Sequence, residues 1–260
     1  MIGNKWIRIA AAWTAGVFSV PACAGTFNWG DISDPAGEVM YLNVEETNAY
    51  ATSLFAPEPG TGSPTASGNA IRFDPQGFQA SANGGSQTTT STVTMLLMAQ
   101  PGKVIENLLV SELGDYTLSG LAGGVASVEV GADFSWTILE VDGSPVSLPT
   151  QMDSLQVNGG AGPNGGLLTR PGDDGTALPW DGTVLLDFDA YLANAAISGS
   201  ATKVEVAFTN NLSATADAVS NAFIKKKEIG GFAVTANIPE PTTLALLVAA
   251  VSGLLSSRRR

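Results

Sequence analysis

Histidine is absent from all 260 residues, and cysteine occurs once, as Cys23. These two gaps together remove the usual imidazole base, the thiolate nucleophile, the His/Cys zinc site and the disulfide framework. Charge is also sparse and unbalanced, with 24 acidic residues against 12 basic ones. Five of the basic residues (Lys5, Arg8, Arg258, Arg259 and Arg260) lie in the terminal segments, so residues 25–237 hold 7 basic and 23 acidic residues, a net −16. Such a surface repels phosphate backbones and anionic membranes, which excludes nucleic acid as an expected partner. Carboxylate, hydroxyl, lysine and arginine are what remain for chemistry. No internal repeat is evident, which argues against a propeller or solenoid.

What is present begins at the two ends. Lys5 and Arg8 precede an apolar run over 9–20, then Pro21 and the small triplet Ala22-Cys23-Ala24. This three-part layout predicts a secretory signal peptide over residues 1–24, cleaved between Ala24 and Gly25. Cys23 follows Val20-Pro21-Ala22 without the leucine a lipoprotein signal expects, and cleavage after Ala24 leaves an exported chain with no cysteine. At the other end, residues 242–257 form sixteen positions without a charge. At 1.5 Å per residue such a helix barely reaches across a bilayer core of about 30 Å. Pro239 and Pro241 mark its start, and Arg258, Arg259 and Arg260 mark its cytoplasmic end, leaving the body outside.

Pro239-Glu240-Pro241, a short transmembrane stretch and a terminal arginine cluster together resemble the PEP-CTERM sorting signal of Gram-negative bacteria. The resemblance is confined to residues 238–260 and departs mildly from the commonest motif in having Ile238 where valine is usual. It implies recognition of Pro239, Glu240 and Pro241 by an exosortase-like membrane enzyme, after transient anchoring in the inner membrane. Release or transfer toward the cell surface would follow, in a setting where an exopolysaccharide matrix is common. The implied partners are that enzyme, the Sec export machinery and exopolysaccharide.

Residues 25–237 read as strands. In 202–210 (TKVEVAFTN), Val204, Val206 and Phe208 alternate with Lys203, Glu205 and Ala207, the period of a half-buried strand. Asp142-Gly143 between 134–141 and 144–148 is a hairpin signal. Further strands are expected over 38–43, 70–73, 91–100, 103–111, 126–131, 183–189 and 228–236, and a short helix within 187–197. Residues 57–69 and 158–182 read as loops, the second carrying eight glycines. The spacing predicts an all-β fold, a single antiparallel β-sandwich, with a jelly roll as one form of it.

Several residues are candidates for chemistry. On a strand, Asp187 and Asp189 would flank Phe188 and share one face; with Asp173, Asp174 and Asp181 they could offer oxygen ligands to Ca²⁺. Lacking an EF-hand spacing, they read more simply as turn and surface carboxylates, so no cofactor is expected. Paired carboxylates could also make a glycoside hydrolase, the alternative to a non-enzymatic structural or adhesive protein, but nothing in the sequence marks one that stays protonated. Trp136 is expected in the core, whereas Trp180, in the turn-like stretch Leu-Pro-Trp-Asp-Gly, is the better candidate to stack on a sugar. Lys225-Lys226-Lys227 reads either as an anionic-polymer contact or, preferably, as an exposed turn that discourages edge pairing. Residues 81–94 read as an O-glycosylated tract or a loop entering a threonine-rich strand, and the sequon at Asn211 is too common to weigh.

Overall fold

The computed structural model describes residues 24–56, 64–157, 166–227 and 231–239. In chain order it begins with β1 (Gly25–Ser33), β2 (Val39–Asn48), β3 (Thr65–Ser67), β4 (Ala70–Phe73), β5 (Gln79–Ala82) and β6 (Gly85–Ala99). Next come β7 (Asn107–Gly120), β8 (Ala126–Val141), β9 (Ser144–Pro145), β10 (Gln151–Ser154), β11 (Gln156–Val157) and β12 (Leu167–Arg170). The chain finishes with β13 (Gly175–Asp187), α1 (Phe188–Asn194), β14 (Ala201–Ala216), β15 (Ser220–Lys226) and β16 (Phe232–Asn237).

Every strand pairing is antiparallel, in two sheets that share one apolar core. The first sheet runs β1-β2-β6-β14-β8, and the far edge of β8 is covered in succession by β12, β10 and β9. The second runs β11-β13-β7-β16-β4-β3. One edge of β7 is shared end to end: β16 pairs with Asn107 to Glu112, and β15 with Gly114 to Gly120. Leu113 sits at the seam, its N–H donating to Gly231 O and its carbonyl accepting from Lys227 N. The expected all-β, two-sheet architecture is therefore present. Residues 1–23 and 240–260, on which the signal peptide and tail span fall, lie outside the described residues, and among the described residues no helix is long and apolar enough to cross a membrane.

Local chemistry explains where the sequence reading holds. Asp142 and Gly143 both take positive φ (49° and 76°), as a tight two-residue hairpin between β8 and β9 requires. The strand expected over 202–210 lies inside β14 with Val204, Val206 and Phe208 buried. The short helix expected within 187–197 is α1, and the Asp187 carboxylate caps it by accepting from Ala190 N at 2.9 Å.

The second glycine-rich loop is a correction. Residues 167–182 contribute β12 and most of β13, which pairs along β7, while 158–165 lie outside the described residues. Gly182 breaks the apolar pattern because Leu155 occupies its side-chain space: a Cβ there would lie 2.6 Å from Leu155 Cδ2. The strands expected at 126–131 and 134–141 are one strand, β8. The threonine-rich tract at 81–94 is also mostly strand, within β5 and β6.

Aromatic rings fill the middle of the sandwich. Phe55 makes edge contacts with Phe73, Phe78, Phe208 and Phe232 at centroid distances of 5.1–6.0 Å. Each such pair adds about 0.5–1.5 kcal/mol beyond its area burial.

Candidate functional site

Two buried polar centres interrupt this core. The first is Glu46, fully buried on the inward face of β2. Its Oε1 accepts from Asn48 Nδ2 (2.7 Å), Ser91 Oγ (2.7 Å) and Leu54 N (2.9 Å); its Oε2 accepts from Ser53 Oγ (2.5 Å) and Phe55 N (3.3 Å). Five donors satisfy both oxygens, and the two backbone donors fix the chain that carries Phe55 into the core.

The second centre lies at the β15/β16 seam. Alternation along β15 turns Ala222, Ile224 and Lys226 inward; along β7 it does the same to Leu108, Val110 and Glu112; along β14, to Phe208, Asn210 and Leu212. Glu112 and Lys226 therefore meet on one face of the second sheet, and Asn210 faces them from the first. Lys226 Nζ donates to Glu112 Oε2 and, at 2.7 Å, to Asn210 Oδ1. The rings of Phe78, Trp180, Phe232 and Phe55 surround that nitrogen at 5.3–6.0 Å. Burial pushes the Glu112 carboxyl above its usual range and the Lys226 ammonium below its own; their mutual attraction opposes both shifts only in part. Glu112 Oε1, Asn210 Nδ2 and Trp180 Nε1 are buried without a hydrogen-bond partner.

The lysine run is thus corrected: Lys227 is exposed, but Lys226 is a core residue, because β15 persists to Lys226 and its period places that side chain inside. Trp180 is corrected too. Its ring is 2% exposed and unavailable to a sugar, because the cross-strand partner Gly114 has no side chain and the indole lies over it. A Cβ at Gly114 would stand 2.1 Å from Trp180 Cε2. Trp136 is in the core as expected, with Nε1 donating to Asp153 Oδ2 at 2.8 Å.

The five aspartates considered for Ca²⁺ are not brought together. Phe188 opens α1 instead of continuing a strand, so Asp187 is a helix cap and Asp189 lies in the first turn. Burial first, then repulsion from Glu106 and Asp187, pushes the Asp189 carboxyl up. Asp173 and Asp174 lie beyond the opposite end of the 13-residue β13, where they accept from Thr169 N and Arg170 Nε. At about 3.3 Å per strand residue the two pairs are roughly 40 Å apart, far beyond sharing one ion. Among the described residues no group of three or more His, Cys, Asp or Glu is placed to hold a metal.

Three surface clefts have volumes of about 270, 500 and 630 Å³. No aromatic ring lines any of them, and neither Glu46 nor Glu112 opens into one. The largest carries Glu140 and Asp142, but Glu140 faces Lys203 at 3.4 Å and Asp142 accepts from Ser200 N at 3.1 Å. Burial shifts two carboxyls toward the protonated form, Glu112 and Asp189; Glu112 is sealed in the core with no route to a polysaccharide, and Asp189 lies in the first turn of α1, lining none of these clefts.

No protein-family model matches the chain, and no curated protein matches it. Among solved structures, the family 11 xylanase from Neocallimastix patriciarum is similar at 10% identity and a TM-score of 0.19, covering 82% of this chain and 100% of that one. A loop-swap mutant of Xyn11A from the same organism is similar at 11% identity and a TM-score of 0.21, with the same coverage. Likeness at that level assigns neither chemistry nor ligand to this chain.

Proposed function

We propose that this chain is an exported, non-enzymatic β-sandwich of the cell surface or extracellular matrix, delivered by Sec and processed at its tail by an exosortase-like enzyme. The observation that carries this reading is where the folded body meets the two sorting signals. β1 opens with Gly25, the first residue after the expected signal cleavage, and β16 closes at Asn237, followed by buried Ile238 and then Pro239. Cutting at either signal leaves every described strand intact.

A structural or adhesive role fits a sandwich whose conspicuous polar groups face inward or form ladders along its outside. On the outer face of the first sheet, Thr88 Oγ1 meets Ser213 Oγ at 3.1 Å and Thr92 Oγ1 meets Thr209 Oγ1 at 2.8 Å. Such a hydroxyl-lined strand pair suits contact with an exopolysaccharide. The test is mass spectrometry of the mature protein from its native host: the N-terminus should be Gly25, and everything beyond about Pro241 should be missing. A mature chain that still ends in Arg260 overturns the processing step. A polysaccharide pull-down should retain the protein, whereas turnover abolished by one Asp or Glu substitution would overturn the non-enzymatic reading.

A further inference from the structure

The Lys226 centre is costly as a plain ion pair. Taking both charges out of water is strongly unfavourable, and interior polar atoms are nearly always hydrogen-bonded. Yet here Glu112 Oε1 and Asn210 Nδ2 are open. The amide oxygen accepts from the amine at 2.7 Å, while its nitrogen makes no hydrogen bond of ordinary geometry and lies close enough to the Glu112 carboxyl to hold it down slightly. An amine and a carboxyl against the carbonyl end of an amide, with the amino end free and aromatic rings excluding water, form an arrangement for acyl transfer.

We propose that Lys226 and Asn210 become joined by an amide bond between Nζ and Cγ, with Glu112 carrying protons and ammonia leaving. The Lys226 ammonium first passes a proton to Glu112 Oε2, giving a neutral amine and a carboxylic acid, the forms that burial favours in this centre. The Nζ lone pair forms the bond to Cγ, and the carbonyl π pair moves onto Oδ1, which takes the proton from Glu112. Glu112 then carries a proton from Nζ to Nδ2. The Cγ–Nδ2 bond breaks, its electron pair departing with the nitrogen as ammonia. Oδ1 re-forms the carbonyl and returns its proton to Glu112. A primary amide and an amine have become a secondary amide and ammonia. Nothing is oxidised or reduced, no co-reactant enters, and loss of ammonia makes the step one-way.

The product would bind β14 of one sheet to β15 of the other. It would give a body without cysteine the covalent cross-link that disulfides supply to other exported domains. The inference does not depend on the sorting signal or on any ligand.

The experiment is intact-mass measurement of the full chain under denaturing conditions, followed by proteolysis and fragment sequencing. The expected mass is that of the sequence, with any terminal processing counted, less one ammonia. The digest should contain a branched peptide joining the segments around Asn210 and Lys226, with no cleavage after Lys226. Glu112→Gln should slow formation of the branched species by about 100-fold or more, the worth of a positioned proton carrier. The wild-type digest decides the matter even where that variant fails to fold. Linear peptides of full mass at both residues would overturn the proposal, and so would an ammonia loss confined to a linear peptide, the mark of a succinimide at Asn210.

Discussion

Glu46 and Glu112 are both fully buried glutamates, each turned inward from a strand with neighbours on both sides. Glu46 accepts five hydrogen bonds, two of them from the backbone that delivers Phe55. Glu112 accepts from one lysine on one oxygen, and its other oxygen is open. Burial alone therefore does not separate a structural carboxylate from a reactive one; the count of satisfied oxygens does. Glu46 shapes a stretch of chain, and its replacement should be read in stability. Glu112 faces an amine and an amide that can exchange partners, and its replacement should be read in covalent structure as well.

The sharpest way to break the contrast is to empty the reactive centre. Lys226→Met removes the proposed link, worth about 3 kcal/mol for closing a loop of this size, and strands Glu112 and Asn210 without their partner. A loss of more than about 4 kcal/mol is expected in urea unfolding. The triple change Lys226→Met, Glu112→Leu and Asn210→Leu should recover the polar part of that loss, since apolar side chains often replace buried ions at little cost. It should not recover loop closure. A triple variant as stable as the wild type would mean that the centre is an ion pair and nothing more.

Gly114→Ala probes how the centre is enclosed. The added methyl would meet Trp180 Cε2 at 2.1 Å and Lys225 O at 2.3 Å, so the ring or the strand must move. The expected cost is about 3 kcal/mol, the upper end for overpacking, with slower linkage because water gains access to the amine. Thermal unfolding together with the ratio of linked to unlinked mass reports both effects.

Glu46→Gln should cost about 2 kcal/mol, because an amide nitrogen then confronts donors that have no other acceptor. The ammonia loss in the intact mass should remain. A Glu46 variant that folds yet lacks the link would erase the distinction between the two glutamates.

The Lys226 centre was legible in position and hidden by residue type, whereas the strand expected over 38–43 stopped short of Glu46. Val204, Val206 and Phe208 set a period that continues to Asn210, as Ala222 and Ile224 continue to Lys226 and Leu108 and Val110 to Glu112. Three lysines in a row look like surface because a lone lysine almost never sits inside; Glu112 on the neighbouring strand and Asn210 from the opposite sheet make it possible. The Asp142-Gly143 hairpin was readable because its rule is local. β13 was not, since the gaps at Gly182 and around Trp180 are filled by Leu155 and allowed by Gly114, residues far away in sequence. The metal candidates failed for the same reason: spacing in sequence did not reveal that a long strand separates them.

The smallest effect belongs to exposed carboxylates, which complete the contrast with the buried pair. Asp217 accepts from Val125 N at 2.8 Å and Val219 N at 3.1 Å; Asp34 accepts from Gly68 N at 2.6 Å and Ala36 N at 2.9 Å. These backbone donors hold both carboxyls below the usual aspartate value. A depressed folded-state value stabilises fully above the unfolded value of about 4 and is lost as pH falls through the folded one. The melting temperature should therefore decline in acid below about pH 4, and less steeply in Asp217→Asn, which keeps an acceptor oxygen but no titrating charge. The proposed amide has no proton to gain in that range, so the linked mass should be unchanged from pH 7 down to acid, and a link that reverses with pH would show that a charge pair, not a bond, holds the sheets together.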